Sequence, residues 1–423
     1  MILSRARRAF RNFWLLLLVA APAVRAQQEH ETHVERPDPD PMAAMDAMEP
    51  MDHWMTMVHG YAFLTFNRQA GPSGDRDFSS QNHLMLMAMR RWAGGKLSLL
   101  GTFSLEPATI PPRGTAELFQ RGETYHDTLL IDRQHPHDLF VQLAAAWERE
   151  LWSGGRLRLY VAPVGEPALG PVAYPHRLSA SENPNAPLSH HNQDSTHIAY
   201  DVLTAGISTS LFTLEGSGFH GAEPDENRWN IEAGPIDSYS GRLTVRPLPE
   251  LSLQLSAGHL GHPEAIEPGD QTRATGAVTY QRAFAGGFLA ATLATGKNQT
   301  PEGPEWGTLL EWVWKFRDLN FVFGRLESVD RDLYELEHKR QRPEGIPHRR
   351  TRVKAATAGY VRDVPVLGNV ESGVGGSLTF YEFDSALDPV YGSFPVSFDV
   401  FFRLRFGTPH EHGMGHSHAH EPM

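Results

Sequence analysis

In the stretch FPVSFDVFFRLRF, Phe394, Val396, Phe398, Val400, Phe402, Leu404 and Phe406 fall on one face of an extended chain. Ser397, Asp399, Arg403 and Arg405 fall on the other. Strand side chains alternate faces, so this run predicts a strand with one continuous apolar face and one charged face. The alternation recurs along the chain. Leu139, Val141, Leu143, Ala145 and Trp147 oppose Asp138, Gln142, Glu148 and Glu150. Leu157, Leu159 and Val161 oppose Arg156, Arg158 and Tyr160, and Leu251, Leu253 and Leu255 oppose Ser252, Gln254 and Ser256. Trp306, Leu310, Trp312, Trp314 and Phe316 oppose Glu305, Glu311 and Lys315.

Such runs predict about sixteen strands, each of roughly ten residues, the length that crosses a bilayer when tilted. They lie near 57–66, 82–91, 96–105, 138–150, 154–163, 196–208, 210–219, 238–247, 250–260, 272–283, 286–296, 305–316, 319–330, 352–364, 368–382 and 394–407. Short connections such as WAGGK, WSGGR, RPLPE, AFAGG and FRDL alternate with long ones near 67–81, 106–137, 164–195, 220–237, 331–351 and 383–393. Shorter members of the long set fall at 261–271 and 297–304. A soluble sandwich also alternates, but nothing requires its connections to alternate in length. The expected fold is therefore all-β: a transmembrane up-and-down antiparallel β-barrel with long extracellular loops and short periplasmic turns. Closure would also remove the edges of so many long strands.

The start, MILSRARRAFRNFWLLLLVAAPAVRAQQ, has a basic segment, a short apolar core and a small-x-small site ending at Ala26. It reads as a signal peptide over 1–26, too short to span a membrane. The expected organisation continues with a mobile Met/His-rich segment (27–56), the barrel (57–407) and a His-rich periplasmic tail (408–423). This places the protein in a bacterial outer membrane, with its lipid as partner and both mature termini periplasmic. With no cysteine there is no disulfide framework and no thiolate metal site. A net charge of −12 argues against nucleic acid as a partner.

Two motifs carry candidate chemistry. DRQHPHD holds His135, His137 and Asp138; HHNQDSTH holds His190, His191, Asp194 and His197. Each closes a long loop just before a strand, with a single strand between them, so both are expected at one rim of the barrel. By parity Asp138, His197 and Asp201 face the lumen. Imidazole with carboxylate suits Zn²⁺, Cu²⁺ or Ni²⁺. The alternative is a structural network that ties loops to the wall. The ends are richer still in soft and borderline donors: Met42, Met45, Met48, Met51 and His53 near the start, and His410, His412, Met414, His416, His418 and His420 in the tail. Copper, zinc and nickel ions are the candidate cofactors and partners.

On the first strand Met55, Met57 and His59 share a face, and on the second His83, Met85, Met87 and Met89 do. If both faces are luminal they form a thioether ladder; otherwise the methionines fill apolar space. The other inward positions mix Arg156, Arg158, Arg242, Arg246, Arg273, Arg403 and Arg405 with Glu148, Glu150, Asp201, Glu215 and Glu311, which suits either an open pore or a plugged one.

The blocks DRQHPHD, HRLSASENPNAPLSHHNQDSTHIAYDVLTAG, LEGSGFHGAEPDENRWN and DSYSGRL resemble those of an uncharacterised group of bacterial outer-membrane β-barrel proteins. The Met/His-rich leader is similar in style to that of copper-resistance outer-membrane proteins. These resemblances imply the barrel topology and a link to copper or heavy-metal homeostasis, and they imply no particular catalytic activity. The expected function is a non-enzymatic pore or metal-handling barrel. Two other readings stand beside it: a sealed structural or adhesion barrel, and a barrel lipid hydrolase using Ser189 or Ser195 with the neighbouring histidines.

Overall fold

The computed structural model describes residues 51–265, 269–343, 345–365 and 370–407. The first strands are β1 (Met55–Arg68), β2 (Arg76–Trp92), β3 (Gly95–Phe103), β4 (Thr115–Tyr125), β5 (Thr128–Gln134) and β6 (Phe140–Trp152). The chain continues through β7 (Gly155–Gly165), β8 (Ala199–Ser208), β9 (Phe212–His220), β10 (Ser238–Leu248), β11 (Leu251–Leu260) and β12 (Gln271–Phe284). It ends with β13 (Gly287–Thr300), β14 (Gly303–Phe316), β15 (Asn320–Asp332), β16 (Arg350–Asp363), β17 (Glu371–Glu382) and β18 (Val396–Phe406). All except β4 and β5 close into one sixteen-stranded barrel, with β3 against β6 and β1 against β18. The seam runs antiparallel from Gly60 opposite Phe406 to Arg68 opposite Phe398.

The two faces are reversed relative to a soluble protein. Leu214, Leu255 and Val400 are more than half exposed, whereas Arg273, Glu311 and Arg403 on inward faces are at most 1% exposed. An apolar exterior around a polar interior is stable only where the exterior meets lipid, and closure leaves no unpaired strand edge there. Among the described residues no helix is long and apolar enough to cross a membrane. The crossing is made by strands.

Seven short connections lie at one end of the barrel, together with the start of β1 and the end of β18. The other end carries the long loops, with one exception. Near 297–304 a loop was expected, but β13 and β14 run on to a two-residue turn at Pro301 and Glu302. The loop expected at 67–81 is likewise only 69–75, because β2 begins at Arg76. The barrel starts at Met55, two residues before the expected boundary.

The loop between β3 and β6 is not irregular throughout: β4 and β5 form a separate hairpin inside it. The hairpin folds into the barrel, where Asn67 donates to the Ala116 carbonyl and Arg331 to that of Phe119. The loop at 166–198 crosses the lumen. Its Arg177 donates to Glu311 of β14 at 2.7 Å, Ser179 shares a hydrogen bond with Thr292 of β13, and Glu182 takes Arg403 of β18 as its partner. The turn at His190–Gln193 rests on two glycines paired across β13 and β14, Gly296 and Gly307. A Cβ at Gly296 would lie 1.8 Å from the Asn192 carbonyl oxygen, so the wall is bare where the loop touches it. The lumen is thus packed by its own loops through buried ion pairs.

Candidate metal centre

The inward-folded loops bring the two His/Asp motifs together. His137 and His197 meet edge to face with ring centroids 5.2 Å apart, and His135 and His191 at 5.6 Å. The contacts extend into a file of imidazoles. His83 of β2 lies 5.2 Å from His137, His197 lies 5.2 Å from His190, and His190 lies 5.3 Å from His191. His176, from the loop turn Tyr174–His176, flanks His83 at 5.7 Å. Barrel wall and both loops contribute to this file. Pro136 keeps the backbone at His135 out of the helical region, so the two histidines beside it sit on a stiff extended corner.

Two groups in the file have the donor set of a metal site. His83, Glu106 and His137 are all buried, and one ligand atom from each lies within 4.8 Å of the others. Glu106 opens a short helical turn, Glu106–Thr109, and one of its carboxylate oxygens accepts both the His137 backbone N–H at 2.8 Å and a bond with His137 Nδ1 at 2.9 Å. His83 is 3% exposed, and neither of its ring nitrogens has a hydrogen-bond partner. The ring stacks on Tyr61 at 5.3 Å, and a buried polar group left unpaired costs roughly 1–3 kcal/mol, which a bound ion would offset. Two imidazoles and a carboxylate fit Zn²⁺ or Cu²⁺.

The second group is His191, Glu223 and Glu264. His191 Nδ1 lies 3.3 Å from Glu223, while its Nε2 and the other Glu223 oxygen are buried and unpartnered. Gly122, with φ +141°, makes room for this ring: a Cβ there would lie 2.2 Å from His191 Nε2. Burial lowers the His191 pKa, but Glu223 outweighs it and the net shift is upward. Burial and the Glu223 charge push the Glu264 carboxyl up to about 7.

The remaining motif residues support rather than join these groups. Asp138 accepts hydrogen bonds from Tyr200 at 3.1 Å and Arg228 at 3.2 Å. Asp194 bonds His190 Nδ1 at 2.7 Å and is paired with Arg177. His197 Nδ1 is bonded to the Asp194 carbonyl at 2.9 Å, which leaves its buried Nε2 free. Burial, offset only in part by Asp194, lowers the His190 pKa to about 4. Asp201, expected on the lumen face, sits at a positive-φ irregularity of β8 and accepts the Gly234 N–H of the next loop instead. Ser195 Oγ accepts from Arg273 and Ser189 Oγ has no partner, so neither serine is bonded to a histidine.

Met51 and His53 are exposed. Met42, Met45, Met48, His410, His412, His416, His418 and His420 lie outside the described residues. Sequence reasoning missed Glu106, Glu223 and Glu264. Two of them precede proline, Glu106-Pro107 and Glu223-Pro224, but Glu-Pro also occurs at Glu49, Glu166, Glu267 and Glu421 and singles nothing out.

No protein-family model matches the chain, and no curated protein matches it. Among solved structures it is similar to the anion-selective porin from Comamonas acidovorans: 12% identity, 84% of this chain and 100% of the porin covered, TM-score 0.52. It is also similar to OprB of Pseudomonas putida: 11% identity, 86% of this chain and 95% of OprB covered, TM-score 0.53. The chain therefore has the sixteen-stranded barrel fold of outer-membrane porins. Neither match bears on the uncharacterised group or on copper.

Proposed function

We propose that this protein is an outer-membrane barrel, with its short turns and both termini in the periplasm, that takes up a divalent transition-metal ion in its lumen and serves copper or heavy-metal homeostasis. The observation that carries this reading is the imidazole file, above all His83, buried beside Glu106 and His137 with both ring nitrogens unpartnered. A pore for small solutes agrees with the porin-type fold. The donors inside this barrel favour a cation that binds nitrogen and oxygen over an anion. The buried pairs between Glu182 and Arg403, and between Arg177 and Glu311, favour a second reading, a sealed structural barrel.

Calorimetric titration of the refolded protein with Zn²⁺ or Cu²⁺ tests the first reading. A chain ending at Gly407 should lose the weak binding of the tail and remain folded, because Phe406 already closes the last strand against Gly60. It should retain a tighter internal class of binding that disappears in His83→Ala and in His137→Ala. Full binding by both variants, or none by the shortened chain, overturns the internal site. Conductance across planar bilayers separates pore from sealed barrel.

A further inference from the structure

Below the imidazole file, the inward faces of β1 and β2 are lined with sulfur. The strands pair Met55 with Met89, Met57 with Met87, His59 with Met85, and Tyr61 with His83. Met85, Met87 and Met89 are at most 3% exposed, and Met55 and Met57 pack against the buried cluster that holds Met87 and Met89. His59 is buried and its Nδ1 has no partner. Five thioethers and an imidazole therefore occupy three successive inward rungs, from just under His83 to the short-turn end of the barrel.

Met87 and Met89 pack in an apolar cluster with Leu100, Tyr160 and Leu260, and the ladder adds to that packing a line of sulfur beside an unpartnered imidazole nitrogen. On β3 the inward positions opposite Met89 and Met85 are the polar Ser98 and Thr102, while Leu100 stands opposite Met87. Leucine fills nearly the same volume as methionine with better-defined rotamers, yet no leucine stands on these six rung positions. Residues directly opposite across an antiparallel pair have Cβ atoms about 5 Å apart. Flexible thioethers at that separation can converge on a single ion. All six ligands are neutral, and the penalty of burying an ion rises steeply with its charge, so the site favours a monovalent ion over a divalent one. Soft thioether sulfur makes the same choice.

We infer that these rungs form a second metal site, specific for a soft monovalent ion, Cu⁺ or Ag⁺, and stacked directly beneath the imidazole site. The inference extends the proposed metal-handling function but rests on its own residues. It also orders the lumen: borderline nitrogen and oxygen donors toward the long-loop end, soft sulfur donors toward the short-turn end.

Ag⁺ is the probe, titrated into the full chain in detergent with Zn²⁺ measured in parallel. The variant Met57→Leu/Met87→Leu/Met89→Leu conserves core volume, and unchanged heat-modifiable migration on gels shows that it is folded. It should lose one class of Ag⁺ binding, weakening it at least tenfold, while Zn²⁺ binding stays unchanged. A companion variant with Met42, Met45, Met48 and Met414 changed to leucine should keep that class. His137→Ala should lose Zn²⁺ and keep Ag⁺. Unaltered Ag⁺ binding by the folded ladder variant overturns the inference, as does loss of the class in the companion. If the wild type takes Ag⁺ through the ladder but no Zn²⁺, the ladder stands and the imidazole reading fails.

Discussion

Arg177 ties the lumen-crossing loop to the barrel wall. It is buried, with Nε donating to Glu311 at 2.7 Å, Nη1 to the Val172 carbonyl at 2.9 Å, and an ion pair to Asp194. Arg177→Met keeps the stem and removes the charge. Removing one partner of a buried ion pair costs about 3–5 kcal/mol. The acceptors left behind are not wholly orphaned. Glu311 keeps Arg325 at 3.2 Å and Ser179 at 3.0 Å, and Asp194 keeps His190 and the Tyr174 N–H. The lower end of the range therefore applies, about 3 kcal/mol, or on the order of a hundredfold in the ratio of docked to undocked loop. The barrel should survive, since its strands are held by the closed ladder and not by this loop. The expected result is an unchanged melting transition in detergent, a loop at 166–198 newly sensitive to protease, and more frequent opening events in planar bilayers. A variant as protease-resistant and as quiet as the wild type would refute the claim that these charges hold the loop.

The same pair sets an acid limit. Burial pushes the Asp194 carboxyl up, but Arg177 and His190 outweigh it and hold its pKa below the ordinary 3.8. A depressed carboxyl contributes stability that is fully present above its unfolded value and lost as pH falls through the folded one. Loop protection from protease should therefore persist down to about pH 4 and fail below it, with earlier failure in Arg177→Met; protection lost near pH 6 would contradict the assignment. Leu255, on the outward face opposite Gly276 and Leu243, tests the orientation of the wall. Leu255→Arg should destabilise the barrel in lipid by roughly 2–4 kcal/mol in denaturant titrations, and a neutral effect would mean that this face does not meet the bilayer.

The architecture was legible because a membrane barrel writes the same two-residue period into every strand. The run from Phe394 to Phe406 shows this: its apolar face is the outward one and Asp399 and Arg403 point in. The errors fall where the period carries no information. The hairpin at β4 and β5 is enclosed by the lumen on both faces, so Ala116 to Gln120 are buried without alternation, and Phe119 and Glu123 have positive φ. The β13–β14 turn was read as a loop because Lys297 to Pro304 are polar and glycine- or proline-rich. In the structure they are strand ends around the tight turn at Pro301 and Glu302.

The chemistry was legible in part, and the division has a physical cause. Clustered histidines at a strand mouth announce themselves, and DRQHPHD and HHNQDSTH meet as their placement around one intervening strand required. What turns a cluster into a donor set is the third ligand. Glu106 stands 31 residues from His137 in the chain, and Glu223 stands 32 from His191. No periodicity links such positions, because loops that fold inward are fixed by what they touch: Gly296 and Gly307 under Asn192, Gly122 under His191, Arg403 on Glu182. The thioether rungs are the opposite case. They belong to two adjacent strands, so their parity was readable, and pairing set the register that brings Met57 to Met87. Donors on the wall are therefore positioned by strand pairing and donors on the loops by packing. The wall ladder should hold its geometry when the 166–198 loop is loosened, whereas the His191, Glu223 and Glu264 group should not. Arg177→Met, which frees the loop that carries His190 and His191, separates the two.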